Sequence, residues 1–212
     1  YTKNLTYDIN SYELEFSKEP NSIYIGGGTP TSVGLENLEK IIDALINKFG
    51  KTREFTVECG RIDSLSLEIL NMLKDKGVNR ISLNPQTFNE EVINKLNRVS
   101  NKDFCFWFDR ARELGFETIN MDLIMGLPGE DKASILDSIK KAIDFSPENI
   151  TLHTLALKNG SKLFENSYHN DEDFGNLLEE SKRLLMENNY EPYYLYRQKK
   201  SVISSENIGY AK

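Results

Sequence analysis

The sequence predicts an α/β protein whose strands are mainly parallel. Three observations carry that prediction. Short β-rich runs begin near positions 22, 54, 80, 118, 150 and 191. Amphipathic helical patterns lie between them, and glycine or proline closes many of the elements. Spacings of this size suit strand–helix units, whose crossovers return the chain in the same direction.

The elements follow in order. Ser22–Gly26 (SIYIG) is a β-rich run ending in glycine. Leu35–Phe49 places Leu35, Leu38, Ile41, Ile42, Leu45 and Ile46 at helical spacing. Phe55–Glu58 is the next strand, and Leu67, Ile69, Leu70 and Leu73 mark a helix that ends at Lys76-Gly77. Arg80–Asn84 is a strand closed by Pro85; Glu90–Leu96 and Asp103–Leu114 are helices, the second stopped by Gly115. Thr118–Ile124 is a strand running into Gly126-Leu127-Pro128, Lys132–Phe145 an amphipathic helix and Asn149–Leu155 a strand. Asp171–Asn188 is a charged helix, and Pro192–Arg197 (PYYLYR) a last, aromatic strand.

Residues 1–197 are expected to form a single domain, with 198–212 a weakly periodic loop or truncated element. Tyr1–Phe16 reads as a helix with no strand before it. The favoured expectation is a fragment whose first strand lies upstream of Tyr1; the alternative is a fold that begins with a helix.

Composition narrows the function classes. With 26 basic and 33 acidic side chains the net charge is −7. That balance argues against general nucleic-acid binding, because phosphate contacts need clustered Lys and Arg. No apolar run approaches the roughly 18 residues that span a bilayer. The two cysteines, Cys59 and Cys105, are too few and too far apart for a metal clip or a disulfide framework, so a reducing, cytoplasmic compartment is expected.

Ligands of parallel α/β folds bind at the carboxyl ends of strands. The first strand ends in Gly26-Gly27-Gly28-Thr29-Pro30. These glycines suit either a tight turn or a backbone that approaches a ligand closely. No Gly-Lys-Ser/Thr and no G-x-G-x-x-G is present, so phosphate-loop and dinucleotide readings are weak. The second strand is expected to end in Glu58, the third in Gln86 and the fourth in Asp122. Each alone suits a solvated surface group; together at corresponding positions they suit one small polar ligand such as a ribose. Arg98, after a short helix, has the planar fork that pairs with a carboxylate. His153 fits a hydrogen-bonded interior histidine, and Tyr190, Tyr193, Tyr194 and Tyr196 fit core and rim packing. Cys59 has no neighbour in sequence that would activate it.

Five segments then carry a resemblance: Tyr24–Thr31 (YIGGGTPT), Val57–Arg61 (VECGR), Asn79–Asn89 (NRISLNPQTFN), Asn97-Arg98, and Asn120–Gly129 (NMDLIMGLPG). In this order the chain resembles the oxygen-independent coproporphyrinogen oxidases among the radical S-adenosylmethionine (SAM) proteins. The likeness runs over about residues 1–197. With Tyr193–Lys199 (YYLYRQK) it looks most like the coproporphyrinogen dehydrogenase branch.

The resemblance implies a partial TIM-like (β/α)6 barrel. It also implies two cofactors: SAM, and a [4Fe-4S] cluster held by a C-x-x-x-C-x-x-C loop after the first strand. One-electron cleavage of SAM would generate a 5′-deoxyadenosyl radical that takes a hydrogen from the substrate. Residue by residue, Gly27, Gly28 and Thr29 match contacts to the methionyl part of SAM. Glu58, Gln86, Arg98 and Asp122 match other SAM-binding positions, and Ala156 a backbone contact near the adenosyl group. No catalytic side chain and no metal ligand of this chain is implied.

The cluster cysteines are expected upstream of Tyr1, so the fragment is expected to be inactive and its parent competent. The implied reaction is oxidative decarboxylation of the tetrapyrrole coproporphyrinogen III in haem synthesis, with flavodoxin or ferredoxin as reductant. Arg197, Lys199 and Lys200 are candidates for the substrate carboxylates or plain surface charges. The alternatives are a haem-binding chaperone, for which His153 and His169 are the available histidines, and a radical SAM enzyme with another substrate.

Overall fold

The computed structural model describes residues 1–13, 20–96, 98, 103–156, 176–196 and 206–212. The chain divides into two compact units, Tyr1–Leu83 with Cys105–Ile119, and Asn84–Phe104 with Asn120–Lys212.

In the first unit, β1 (Ser22–Ile25), β2 (Glu54–Glu58) and β3 (Arg80–Ser82) pair in parallel in that order. Ile25 stands opposite Val57, and Glu58 opposite Ser82. The helices are α1 (Thr2–Ser11), α2 (Leu35–Phe49), α3 (Leu67–Asp75) and α5 (Phe104–Glu113). α2 buries Leu38, Ile41 and Ile42, three of the residues whose spacing marks it in the sequence. α1 is shorter than the expected Tyr1–Phe16: it stops at Ser11, and residues 14–19 lie outside the described residues. The helix ends where Tyr12 takes an extended conformation and donates its N–H to the Asp8 carbonyl.

One device turns helices into strands. After α3, Gly77 (φ 85°) donates its N–H to Lys74 and Val78 donates to Leu73. After α5, Gly115 (φ 74°) donates to Arg112 and Phe116 to Ala111. This paired bonding satisfies carbonyls that a helix end would otherwise leave unpaired, and its left-handed residue is cheapest as glycine. Val78 and Phe116, which follow, are both buried. Asn79 then ties the amino ends of the strands. Its Oδ1 accepts from the Phe55 N–H at 2.9 Å, and its Nδ2 donates to the Arg53 carbonyl at 3.0 Å and to Glu117 at 3.3 Å.

In the second unit, β4 (Thr118–Met125) contributes from Asn120 onward and pairs in parallel with β5 (Asn149–Thr154). The order continues through β7 (Asn207–Ala211) to β6 (Glu191–Tyr196). Among the described residues its helices are α4 (Glu90–Lys95), α6 (Lys132–Phe145) and α7 (Leu177–Glu187). Here the sequence reading is corrected. The segment expected as a loop or truncated element contains β7, which runs antiparallel to both β5 and β6. Its strand character comes from pairing on both sides: Tyr210 is fully buried, and the Asn207 side chain accepts from the Thr154 N–H at 2.7 Å. Five residues containing a glycine carry too little alternation to announce this. His169, Arg197, Lys199 and Lys200 lie outside the described residues.

The segment between β3 and α4 is anchored by a buried cluster on α6 and the turn before it. The Thr87 hydroxyl donates to the Glu130 carboxyl, lies 3.1 Å from Ser138 Oγ and accepts from the Asn89 N–H at 3.0 Å. Ser138 Oγ also accepts from the Phe88 N–H at 3.0 Å. Asn89 caps α4 through its carbonyl oxygen and donates its amide to Ser134 at 2.8 Å. Around it, Phe88, Phe104 and Phe145 form a trio with ring centroids 5.2–5.7 Å apart. Burial pushes the Glu130 carboxyl up to about 7; the Thr87 hydrogen bond pulls the other way, and nearby Asp131 adds to the rise.

Two outcomes follow for stability. Asn79→Ala leaves the Phe55 N–H without its acceptor and is expected to cost about 1–3 kcal/mol in urea denaturation. The Glu130 carboxyl lies above its ordinary 4.5, so the folded state holds the extra proton between that value and about 7. Its contribution is therefore complete below about 4.5 and lost as pH rises through about 7. Denaturation midpoints of the unaltered protein and Glu130→Gln, compared across that window, should show the decline only where the carboxyl is present.

Candidate functional site

In the first unit the chemistry gathers at the carboxyl ends of β1 and β2. β1 gives way to Gly26–Thr29, with Gly27 at φ 117°, before the 3-10 turn Pro30–Val33. A cavity of about 220 Å³ opens beside this loop, lined in part by Tyr1, Leu5, Gly26, Gly28 and Thr29. Gly28 faces open space where a side chain would stand. Gly26 does not: a Cβ there would press on the Tyr24 ring and come within 3.1 Å of the Glu58 carboxyl. The glycine is thus required by a side-chain pair, since the Tyr24 hydroxyl donates to Glu58 Oε1. The β2 loop joins the β1 loop through Thr31 and Ser64, whose hydroxyls lie 2.5 Å apart. Arg61 is occupied by Asp63, with a fork of contacts at 3.0 and 2.7 Å.

Both cysteines lie in this unit. Cys59 is fully buried, and burial, then the charge of Glu58, push its thiol up to about 12. Cys105 is exposed on α5 and lies 3.4 Å from Asp109. Among the described residues, no group of three His, Cys, Asp or Glu is placed to hold a metal ion.

In the second unit the structure brings Gln86 and Asp122 together through the backbone. The Gln86 N–H donates to the Asp122 carbonyl at 3.0 Å, and the Ile124 N–H donates to the Gln86 carbonyl at 2.7 Å. Gln86 is buried with φ 67°, a left-handed conformation that costs a side-chain-bearing residue about 1–3 kcal/mol. Asp122 is held from three directions. The Asn120 amide donates to its Oδ1 at 2.7 Å, its N–H donates to Asn84 at 3.3 Å, and His153 Nε2 stands 3.6 Å from Oδ1. Thr151 extends the chain by donating to Asn120 at 3.1 Å. The alternation of β4 and β5 puts Asn120, Asp122, Thr151 and His153 on one face and buried Met121, Leu123, Ile150 and Leu152 on the other.

Arg98 follows α4, half-buried, its N–H bonded to the Ile93 carbonyl at 3.3 Å. Ala156 lies two residues beyond β5, after Leu155, whose N–H donates to Met125 at 2.9 Å. The sequence assigns no individual site role to Tyr24, Asn120 or Glu130. The signal for His153 and Asn120 was their period of two with Thr151 and Asp122 in otherwise apolar strands; Tyr24 and Glu130 gave none.

The profile of the radical SAM superfamily matches residues 11–142. The oxygen-independent coproporphyrinogen-III oxidase-like protein HemZ of Bacillus subtilis is 34% identical over 211 residues, covering 96% of this chain and 42% of that protein. The haem chaperone HemW of the same organism is 40% identical over 155 residues, 71% of this chain and 40% of that one. The structure of the coproporphyrinogen III oxidase HemN from Escherichia coli, described as a radical SAM enzyme, matches all of this chain and 48% of its own. The TM-score is 0.81 at 23% identity, which identifies the α/β fold as a partial TIM-like barrel. The chain spans less than half the length of these relatives. Among the described residues, no helix is long and apolar enough to cross a membrane. The chain belongs to the radical SAM superfamily, in its oxygen-independent coproporphyrinogen III oxidase-like family.

Proposed function

We propose that the protein is a cytoplasmic radical SAM oxidoreductase that converts coproporphyrinogen III to protoporphyrinogen, and that this chain supplies its SAM-binding strand ends. The observation that carries the reading is the oriented polar groups of each unit: in the first the glycine loop with Glu58, and in the second Gln86, which follows β3, bonded to Asp122 within β4.

The family's cofactors are SAM and a [4Fe-4S] cluster. SAM suits the residues present, because open glycine backbone and fixed carboxylates match its amino, carboxylate and ribose groups. Cys59, sealed in the core, and Cys105, exposed on α5, do not make a set of cluster thiolates, so no cluster ligand is assigned among these residues. Bound SAM with a reduced cluster supplies one-electron hydrogen abstraction.

The chain's own residues bind and orient. Gly27, Gly28 and Thr29 receive the methionyl end of SAM. Glu58, turned by Tyr24, and Asp122, turned by Asn120, accept hydrogen bonds from its polar groups. Gln86, Arg98 and the backbone at Ala156 complete the contacts. With SAM and the cluster bound, a propionate of the substrate would give one β-hydrogen atom to the 5′-deoxyadenosyl radical, then release CO2 and pass one electron to a one-electron acceptor, leaving a vinyl group. Arg197, Lys199 and Lys200 are proposed partners for the substrate carboxylates, and flavodoxin or ferredoxin the reductant. A haem-chaperone role is the second reading, favoured by the 40% identity to the B. subtilis chaperone.

The full-length protein, reconstituted anaerobically with iron and sulfide and given reductant, SAM and coproporphyrinogen III, should yield 5′-deoxyadenosine and protoporphyrinogen together. Deoxyadenosine without porphyrin turnover would remove the substrate assignment, and neither product, with haem binding seen by absorbance, would favour the chaperone. Asp122→Asn should weaken SAM binding about tenfold in calorimetry, the loss of one hydrogen bond to a charged group.

A further inference from the structure

Gln86 keeps a backbone conformation that its side chain disfavours, so something on each side of it has to hold it there. On one side it is bonded to β4 through its own N–H and carbonyl, forming an isolated parallel bridge to Leu123. On the other side the next residue, Thr87, is buried, and all the bonding capacity of its hydroxyl is used. It donates to Glu130, accepts from the Asn89 N–H, and lies 3.1 Å from the Ser138 hydroxyl, which can donate to its remaining lone pair. Glu130 is itself buried, and its Oε2 has no hydrogen-bond partner among the described residues. A carboxyl is an expensive group to place there, and packing alone would be better served by an apolar side chain. Its one evident bond is to Thr87.

We infer that Glu130 is a positioning residue for the ligand site: by accepting the Thr87 hydroxyl proton in a hydrogen bond, it locks Gln86 in the left-handed conformation that presents it to SAM. The inference rests on the reading that Gln86 contacts SAM. Glu130 touches neither ligand nor Gln86. It acts through the direction in which the Thr87 hydroxyl points: with Glu130 taking the proton, the oxygen lone pairs are left for Asn89 and Ser138. Without that acceptor the hydroxyl turns toward Ser138, the Asn89 contact loosens, and residues 86–89 relax together. Among the described residues, Asp131 beside Glu130, Lys95 near Gly129 and the Lys132–Glu180 pair are charged groups near the turn.

The test combines backbone exchange with binding. Amide hydrogen exchange at Gln86 and Ile124 is followed by NMR in the unaltered protein and in Glu130→Ala, Glu130→Gln, Thr87→Val and Thr87→Ser. SAM affinity is measured by calorimetry in the same proteins and again with Gln86→Ala added. Glu130→Ala and Thr87→Val should each speed exchange at both amides and weaken SAM about tenfold, the scale on which residues behind a ligand contact act. Protection of the α2 amides should stay unchanged. Glu130→Gln and Thr87→Ser keep an acceptor and a hydroxyl and should restore both readouts. With Gln86→Ala in place, Glu130→Ala should cost nothing further. Unchanged exchange in Glu130→Ala, or an equal loss of affinity in the Gln86→Ala background, would overturn the inference. Should Glu130→Ala fail to fold, the Thr87 pair decides the same question. If the unaltered protein binds no SAM, the proposed cofactor site fails, and the exchange data alone decide whether Glu130 holds Gln86.

Discussion

Backbone hydrogen bonding between parallel strands brings their carboxyl ends to the same edge, and the candidate ligand-binding groups of this protein depend on that constraint. With Ile25 opposite Val57 and Glu58 opposite Ser82, the glycine loop of β1 and the carboxylate of β2 emerge side by side. With Asp122 opposite Thr151 and Ile124 opposite His153, the polar residues of β4 and β5 share one face. A slip of one residue would turn Asp122 toward the helices and put Met121 in its place. The apolar residues between the polar ones therefore set the position of the chemistry, because burial of Met121, Leu123, Ile150 and Leu152 selects the register.

The helices are brought back to the sheet by economical means. Gly77 and Gly115 turn α3 and α5 with the same pair of backbone bonds, and Asn189 at φ 64° does so after α7. In each case the residue that follows the turn (Val78, Phe116 or Tyr190) is buried. Tyr190 shows how far this goes, since its hydroxyl reaches the Pro147 carbonyl at 2.8 Å, at the turn between α6 and β5. The turn residue meets the backbone requirement and the next residue anchors the strand, so two adjacent positions set the geometry of each return.

The segment from Asn84 to Asn89 uses the opposite strategy. Where the helix returns relieve strain with glycine, this segment keeps a glutamine in the left-handed region and surrounds it with bonds. Asn84 and Gln86 are fastened to β4, Thr87 and Phe88 to Glu130 and Ser138, and Asn89 to Ser134 and the start of α4. Such over-determination is characteristic of sites where a side chain must be presented in one direction. Among the bonding groups lies a carboxyl, Glu130, whose burial lifts it to about 7.

The sequence by itself determined the α/β class, the order of strands and helices up to β6, and most of the residues at the strand ends. These are local properties: periodicity follows from which face is buried, and glycine or proline marks where the backbone must turn. The glycine loop and Glu58 were legible because position at a strand end is itself a local fact, whereas Asp122 lies within β4 and Gln86 four residues beyond β3. Only the tertiary structure decided the rest. β7 exists because β5 and β6 offer unpaired edges on both sides of it, and no pattern within NIGYA announces that. Tyr24 and Glu58 are 34 residues apart, and Thr87 and Glu130 are 43 apart; each pair meets only when the chain has folded. Hydrogen bonds of that span depend on which strands become neighbours, and neighbourhood is a property of the whole sheet rather than of any one segment.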